Sequence, residues 1–400
     1  MSNSVPEGWN IYSLDELGQV VGGGTPESNN TDYWGGDIYW ATPKEITKLS
    51  SRYINKTERT ITQDGLDRSS AKLHPIGTIL LTSRASVGYP AINTIPMATN
   101  QGFQSLRPNN KLDTEYGYQC LLNSRNKLEK LSAGSTFLEI SSKEVKKFKV
   151  VIPPLPEQKK IAAILTSVDT VIEKTQAQID KLKDLKTGMM QELLTKGIGH
   201  TEFKDSPVGR IPVEWEIHQQ GDKADFSNGR AYKLSEWEKE GTPVIRLQNL
   251  TGSGKDYYYS NLELPERQYC KNGDLLYMWS ATFGPHIWKG SKAIYHYHIW
   301  KVTPDETTLT KSYLYYLLDY KTKQWKDESS NGMGILHVTK SAMESMLIAI
   351  PPIKEQQYIS KTLEAIDKRI NLSEEKFQLL KNTKKALMQD LLTGKVRVKI

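Results

Sequence analysis

The residues best able to do chemistry in this 400-residue chain are polar donors that follow directly on short apolar runs. Lys44 stands in YWATPKEITK, Ser83 and Arg84 in LTSRASVG, Asn100 and Gln101 in TNQGF. A comparable order returns later, with Arg246, Gln248 and Asn249 in VIRLQNLTG, Trp279 and Ser280 in YMWSATFGPH, and then YHYHIW. Arginine and lysine suit guanine edges, and asparagine and glutamine suit adenine edges. Serine, threonine and aromatic groups add phosphate contacts and stacking. This is a set of groups for reading nucleic acid rather than for breaking bonds.

Catalytic patterns do not assemble. Gly252-Ser253-Gly254-Lys255 has the end of a phosphate-binding loop, but Asn249 replaces its first glycine and Asp256 follows the lysine, so a plain turn is expected. Gly22-Gly23-Gly24 lacks dinucleotide-site spacing and reads as a flexible loop near a ligand, such as a phosphate backbone. Glu157-Gln158-Lys159 imitates a nuclease motif, yet its repeat reads Glu355-Gln356-Gln357. His296 and His298 alternate as on one strand face, without a third metal ligand nearby in sequence. The two cysteines, Cys120 and Cys270, exclude paired-cysteine zinc sites and a disulfide framework. No catalytic residue, metal site or cofactor site is assigned.

The elements that must position the donors come in duplicate. VIPPLPEQKKIAAIL…MMQELLT at 151–195 recurs as AIPPIKEQQYISKTL…LMQDLLT at 349–393, and 17 of 44 positions from 152 to 195 are identical at a constant offset of 198. The same offset links Gly134 to Gly332 and Leu138 to Leu336, and VPEGW at 5–9 echoes IPVEW at 211–215. In each copy apolar residues recur at spacings of four and three, from Ile161 to Leu193 and from Ile359 to Leu391. That spacing is a coiled-coil seam, and two such rods bury each other most simply as an antiparallel pair. Glu157 and Glu355 fall near the helix starts, where a negative charge meets the helix dipole favourably.

Between the helices lie short alternating strands, expected at Ile38–Thr42, Thr78–Ser83, Ala91–Thr94, Gly102–Arg107 and Lys149–Ile152. A second set is expected at Pro243–Leu247, Asp274–Met278, His286–Lys289, Tyr297–Val302 and Leu347–Ile350. Helical patches are expected at Glu115–Leu131 and Lys311–Trp325. The fold class is therefore α+β: two mixed α/β recognition domains separated by two long antiparallel coiled-coil helices, a pseudo-two-fold internal repeat. Boundaries are expected at 1–152, 153–200, 201–350 and 351–400. The formal charge of +7 is concentrated in 349–400, with 11 basic against 6 acidic residues, so the large segments must meet an anion through local patches. No apolar run approaches a membrane span and no signal peptide is evident, which favours a cytoplasmic protein.

PPLPEQKKIAAIL with QELLTKG, repeated as PPIKEQQYISKTL with QDLLTGK, resembles the helical regions of the specificity subunit of type I restriction-modification enzymes. GGGTPESNN…YWGGDIYWATPKEI…GTILLTSRASVG…NQGFQSL…GSTFLEISSKEVKKFKVVIPPLPEQ resembles that family's target-recognition domain. In the second segment SNGRAY replaces the glycine-threonine-proline loop and GMGILHV replaces GSTFLEI, as two domains reading different half-sites would differ.

The resemblance implies a non-catalytic reader of double-stranded DNA, each recognition domain taking half of an asymmetric bipartite site. Two methyltransferase subunits would dock on the helices and two motor-nuclease subunits would join them. S-adenosylmethionine, ATP and Mg would be carried by those partners, none by this chain. DNA contacts are expected at Thr25, Lys44, Ser83, Arg84, Asn100, Gln101, Arg230, Arg246, Gln248, Asn249, Trp279 and Ser280. Partner contacts are expected at Glu157, Gln158, Ile161, Glu355, Gln356 and Ile359. The residues by themselves leave two other classes open, an enzyme with a site assembled from loops and a coiled-coil adaptor that binds no DNA.

Overall fold

A computed structural model describes residues 5–132, 138–280, 282–330 and 338–399. Gly134, Gly332, Leu336 and Ala281 lie outside the described residues. All ten strands expected from the sequence are present within one to four residues at either end, and both helical patches are helices, the first broken at Ser124 into Thr114–Asn123 and Arg125–Leu131. The two long helices run Leu155–Thr195 and Ile353–Leu391.

The chain divides into two compact units, 1–178 with 373–400 and 179–372, so each long helix belongs half to one unit and half to the other. The expected boundaries at 152 and 350 fall where the long helices begin, while the compact units divide each helix near its middle. Each recognition segment folds around one half of both helices.

In the first unit a five-stranded sheet has the order Gly18–Gly22, Gln104–Pro108, Ile79–Leu81, Pro90–Asn93, Tyr53–Ile54. A three-stranded sheet has Trp34–Ala41 between Arg59–Ile61 and Met97–Thr99, the last pairing being parallel. Asn10–Ser13 pairs with Lys149–Ile152 beside the start of the long helix. The second unit repeats the plan. Ala224–Asn228, Ile299–Pro304, Leu275–Met278 and Gly284–Ile287 form one sheet. In the other, Thr242–Ile245 runs parallel to Ala293–Tyr295. Glu216–Gln219 pairs with Leu347–Ile350.

Inside each unit the helix halves are antiparallel, and a partly buried ion pair joins them. In the first, Asp169 accepts from Lys384 Nζ and Gln119 Nε2, both at 2.6 Å. In the second, Asp367 accepts from Lys186 Nζ and Tyr316 Oη, both at 2.8 Å. Both pairs join residues related by the 198-residue repeat, so the duplication is also a duplication of contacts.

The seam departs from the expected pattern near the helix ends. Met190, Leu194, Met388 and Leu392 are buried, each one residue beyond Met189, Leu193, Leu387 and Leu391 of the seam. A helix of 3.6 residues per turn drifts against a seven-residue repeat, and here the last turns face a recognition core as well as the partner helix.

Candidate nucleic-acid interface

The residues expected to dock a partner are consumed inside the chain. Glu157, Gln158, Ile161, Gln356 and Ile359 are at most 1% exposed. Gln158 accepts from the Asp113 N–H at 2.9 Å and donates to the carbonyls of Lys111 and Pro153 at 2.9 and 3.0 Å. Gln356 does the same with Thr310, Thr308 and Pro351 at 2.7, 2.8 and 2.9 Å. Glu157 receives Arg397 through Nε and Nη2 at 2.7 and 2.8 Å. Glu355 receives the Ile198 N–H and His200 Nε2, both at 2.9 Å, and Trp215 Nε1 at 3.1 Å. These groups clamp the helix start to its recognition core. Their spacing looked like an outward motif because sequence gives no direction.

The expected DNA contacts converge more closely. In the first unit Asn100 N donates to Ala41 O at 3.0 Å, Gly24 N to Thr99 O at 2.9 Å, and Ser83 N to Gly102 O at 2.7 Å. These bonds bring the strand ends that carry Thr25, Lys44, Arg84, Asn100 and Gln101 to one edge. Lys44 is exposed on the short helix Pro43–Lys48, whose start is capped by Glu45 through the Thr42 N–H and hydroxyl at 2.8 and 2.7 Å. Thr25 Oγ1 donates to Gln101 Oε1.

Arg84 meets both carboxylate oxygens of Glu139 at 2.9 and 2.8 Å, with both side chains well exposed. The next residue, Ala85, holds φ at 63°, a left-handed conformation that costs a non-glycine residue about 1 kcal/mol. Its N–H donates to Leu138 O at 3.1 Å, so the turn that presents Arg84 is held in place.

The second unit repeats the hydrogen bonds with other side chains. His296 N donates to Ile245 O at 2.9 Å, Arg230 N to Tyr295 O at 3.1 Å, and Trp279 N to His298 O at 3.2 Å. Arg246 caps the helix Leu247–Thr251, which places Gln248 at the position Lys44 holds in the first unit. A cleft of about 340 Å³ opens between Trp237, Arg246, Gln248, Tyr258, His296 and His298. The Arg246 guanidinium lies 4.9 Å above the Tyr258 ring, and Trp237 packs against Tyr258 at 4.6 Å and stacks on Tyr232 at 4.7 Å. Arg230 lies 4.5 Å above Tyr232 and pairs with Glu236. Burial, followed by the charges of His298 and Arg246, pushes His296 down to about 4, so it meets a ligand as a neutral imidazole.

Several expectations need correction. Ser83 and Ser280 are 1% and 7% exposed, their side chains turned from the edge that their neighbours form. Asn249 is engaged within its own loop, accepting from Arg246 N at 2.9 Å and donating to Asp256 O at 3.0 Å. His296 and His298 flank the turn between two strands rather than sharing a strand face. Among the described residues no group of three or more His, Cys, Asp and Glu could hold a metal ion. Gly252 closes a short helix at φ 75°, a plain turn. Gly23 and Gly24 permit close backbone packing, since a Cβ there would stand 1.9 Å from Asn100 O and 2.3 Å from Ala71 N. The aromatic wall of Tyr232, Trp237 and Tyr258 was missed, although the dense aromatics of AYKLSEW and DYYYS were its signal.

The sequence profile described as the type I restriction modification DNA specificity domain matches residues 6–184 and again 212–382. The MjaIX specificity subunit of Methanocaldococcus jannaschii is 28% identical over 98% of this chain and 95% of its own length. The putative MjaX specificity subunit of the same organism is 30% identical over 99% and 95%. In fold, the chain is similar to the S subunit of the type I restriction-modification system from M. genitalium, with a TM-score of 0.61, 14% identity and coverage of 100% and 99%. The duplicated helix, the duplicated reader and the doubly matched profile agree, and the chain belongs to the family of type I restriction-modification specificity subunits.

Proposed function

We propose that the edge carrying Thr25, Lys44, Arg84, Asn100 and Gln101 reads one half of a bipartite duplex target, and the cleft carrying Arg230, Arg246, Gln248 and Trp279 the other. The observation that carries this reading is the repeated edge. Two units with the same strand-end hydrogen bonds present different donors, as two readers of unlike half-sites would. Lys44 against Gln248 exchanges a guanine-type donor for an adenine-type pair. Methyltransferase and motor-nuclease partners would supply S-adenosylmethionine, ATP and Mg chemistry. The two-fold repeat supports two copies of each partner.

As a non-catalytic family member, the chain purified alone is expected to transfer no labelled methyl group and hydrolyse no ATP. Reconstituted with its partners, Arg246→Ala or Gln248→Ala should cost about 1–3 kcal/mol on targets with the intact second half-site and relax that half only. Equal loss on every sequence, in filter binding at fixed salt, would make either residue a phosphate contact instead.

The helices are the ruler in this reading. Four residues inserted between Gln178 and Ile179, with four more between Leu372 and Ser373, add about 6 Å of helix and little more than one turn. Methylome sequencing should then find the unread gap longer by roughly one or two base pairs, at about 3.4 Å per pair, with both half-sites unchanged. Two-residue insertions turn the seam by about 200° and should abolish methylation.

A further inference from the structure

The internal repeat serves as a control on what the fold itself requires. Helix Ser142–Lys147 and strand Lys149–Ile152 in the first unit correspond, at the offset of 198, to helix Lys340–Ser345 and strand Leu347–Ile350 in the second. Each helix begins on a hydroxyl cap, Ser141 or Thr339, and buries one apolar residue, Val145 or Met343. Each strand pairs antiparallel with a strand near the start of its unit, Asn10–Ser13 or Glu216–Gln219. The scaffold is the same, but its outer surface is not.

The first copy carries Lys143, Lys146, Lys147 and Lys149, all exposed, around a surface cleft of about 620 Å³. At the same four positions the second copy carries Ser341, Glu344, Ser345 and Leu347, and its one lysine there, Lys340, pairs with Glu344 at 3.3 Å. None of the four lysines forms an ion pair among the described residues. Asp15 and Glu16 also line the cleft, but the Glu16 carboxylate is held by the Ser13 N–H and hydroxyl at 2.7 and 2.8 Å. Residues 143–149 hold four lysines against one carboxylate, Glu144, which is engaged by the Ser141 N–H and hydroxyl at 3.0 and 2.7 Å, and the second unit shows that the architecture forms without the lysines.

Their place argues against the duplex read by the same unit. The reading edge lies beyond the end of strand Gly18–Gly22, at Thr25. The lysines flank Ser13–Glu16, before that strand begins, so the whole strand, about 13 Å, lies between. Lys149–Ile152 leads directly into the first long helix, so the patch lies at the helix base. We propose that Lys143, Lys146, Lys147 and Lys149 form a docking surface for a carboxylate-rich face of a methyltransferase subunit. This surface exists on the first unit and not on the second, so the two partner subunits bind with unequal, differently salt-dependent affinity. The inference rests on the reading that two such subunits dock on this chain.

The test compares the full chain with a variant given the second copy's residues, Lys143→Ser, Lys146→Glu, Lys147→Ser and Lys149→Leu. Cognate methyltransferase subunit is titrated onto each by native mass spectrometry and sedimentation at 50 and 300 mM salt. One of the two binding steps should weaken roughly tenfold or more at low salt, lose most of its salt dependence, and leave the other step unchanged. A Lys→Gln set at the same positions should behave alike if the first variant folds poorly, and a Lys→Arg set should retain binding. Two unchanged steps would overturn the proposal while leaving partner docking intact. Failure of the unaltered chain to bind any subunit would overturn both. A reduced salt slope for DNA binding with assembly unchanged would assign the lysines to the duplex and also overturn it.

Discussion

Chain 1–200 produced without the remainder is expected to assemble in pairs, and the pair, with its partner subunits, to recognise two inverted copies of the first half-site. The first unit is completed by residues 373–400, which bring Lys384 to Asp169 and bury Met388, Leu391 and Leu392 in its core. A second copy of 1–200 offers Lys186, Met190, Leu193 and Leu194 at the same places in the repeat. In the second unit, residues 198–200 already meet Glu355 through the Ile198 N–H and His200. They would meet Glu157 in the paired half, replacing Arg397. Sedimentation gives the mass and methylome sequencing the target. Lys186→Asp should dissociate the pair, and adding Asp169→Lys should restore it, because the charge pair is reversed rather than lost. A half that stays monomeric at micromolar concentration would contradict this.

Lys384→Met is expected to lower the stability of the first unit by about 3 kcal/mol, and Lys186→Met that of the second by less, because the Asp367 side chain is 27% exposed and keeps more water. Each leaves an aspartate among packed side chains with its cation removed, and breaking such a pair is costlier than never having formed it. The Asp169 and Lys384 side chains are 12% and 14% exposed, which gives little water to replace the ammonium. The double change Asp169→Leu with Lys384→Met should recover most of the loss, since neither charge then remains, whereas Asp367→Leu with Lys186→Met should recover less, because Asp319, 3.7 Å from Lys186 Nζ, also loses that cation. Amide hydrogen exchange in denaturant, read separately on peptides of each unit, separates the two effects. A loss no larger than that of an exposed pair, about 0.5 kcal/mol, would mean that these ion pairs do not hold the helix halves together.

The sequence by itself determined the duplication, the helix seam and ten of the strands. Those features are local: a repeat is visible as identity, a seam as spacing, a half-buried strand as alternation. What it left undecided was direction. Met97–Thr99 and Ala293–Tyr295, three residues each, carry too little pattern to be seen, yet their parallel pairing with distant strands gathers each edge. Glu157, Gln158, Glu355 and Gln356 look the same in sequence whether they face a partner or their own core. Only distant groups settled that they face inward: the backbones of Lys111, Asp113, Thr308 and Thr310 for the two glutamines, and Arg397, Ile198, His200 and Trp215 for the two glutamates. Ser83 stands beside exposed Arg84 and Ser280 beside half-buried Trp279, yet both are buried, because burial depends on what long-range folding brings above a side chain. The division of each helix between two units was also a tertiary result, since a helix carries no mark of which neighbour will cover which half.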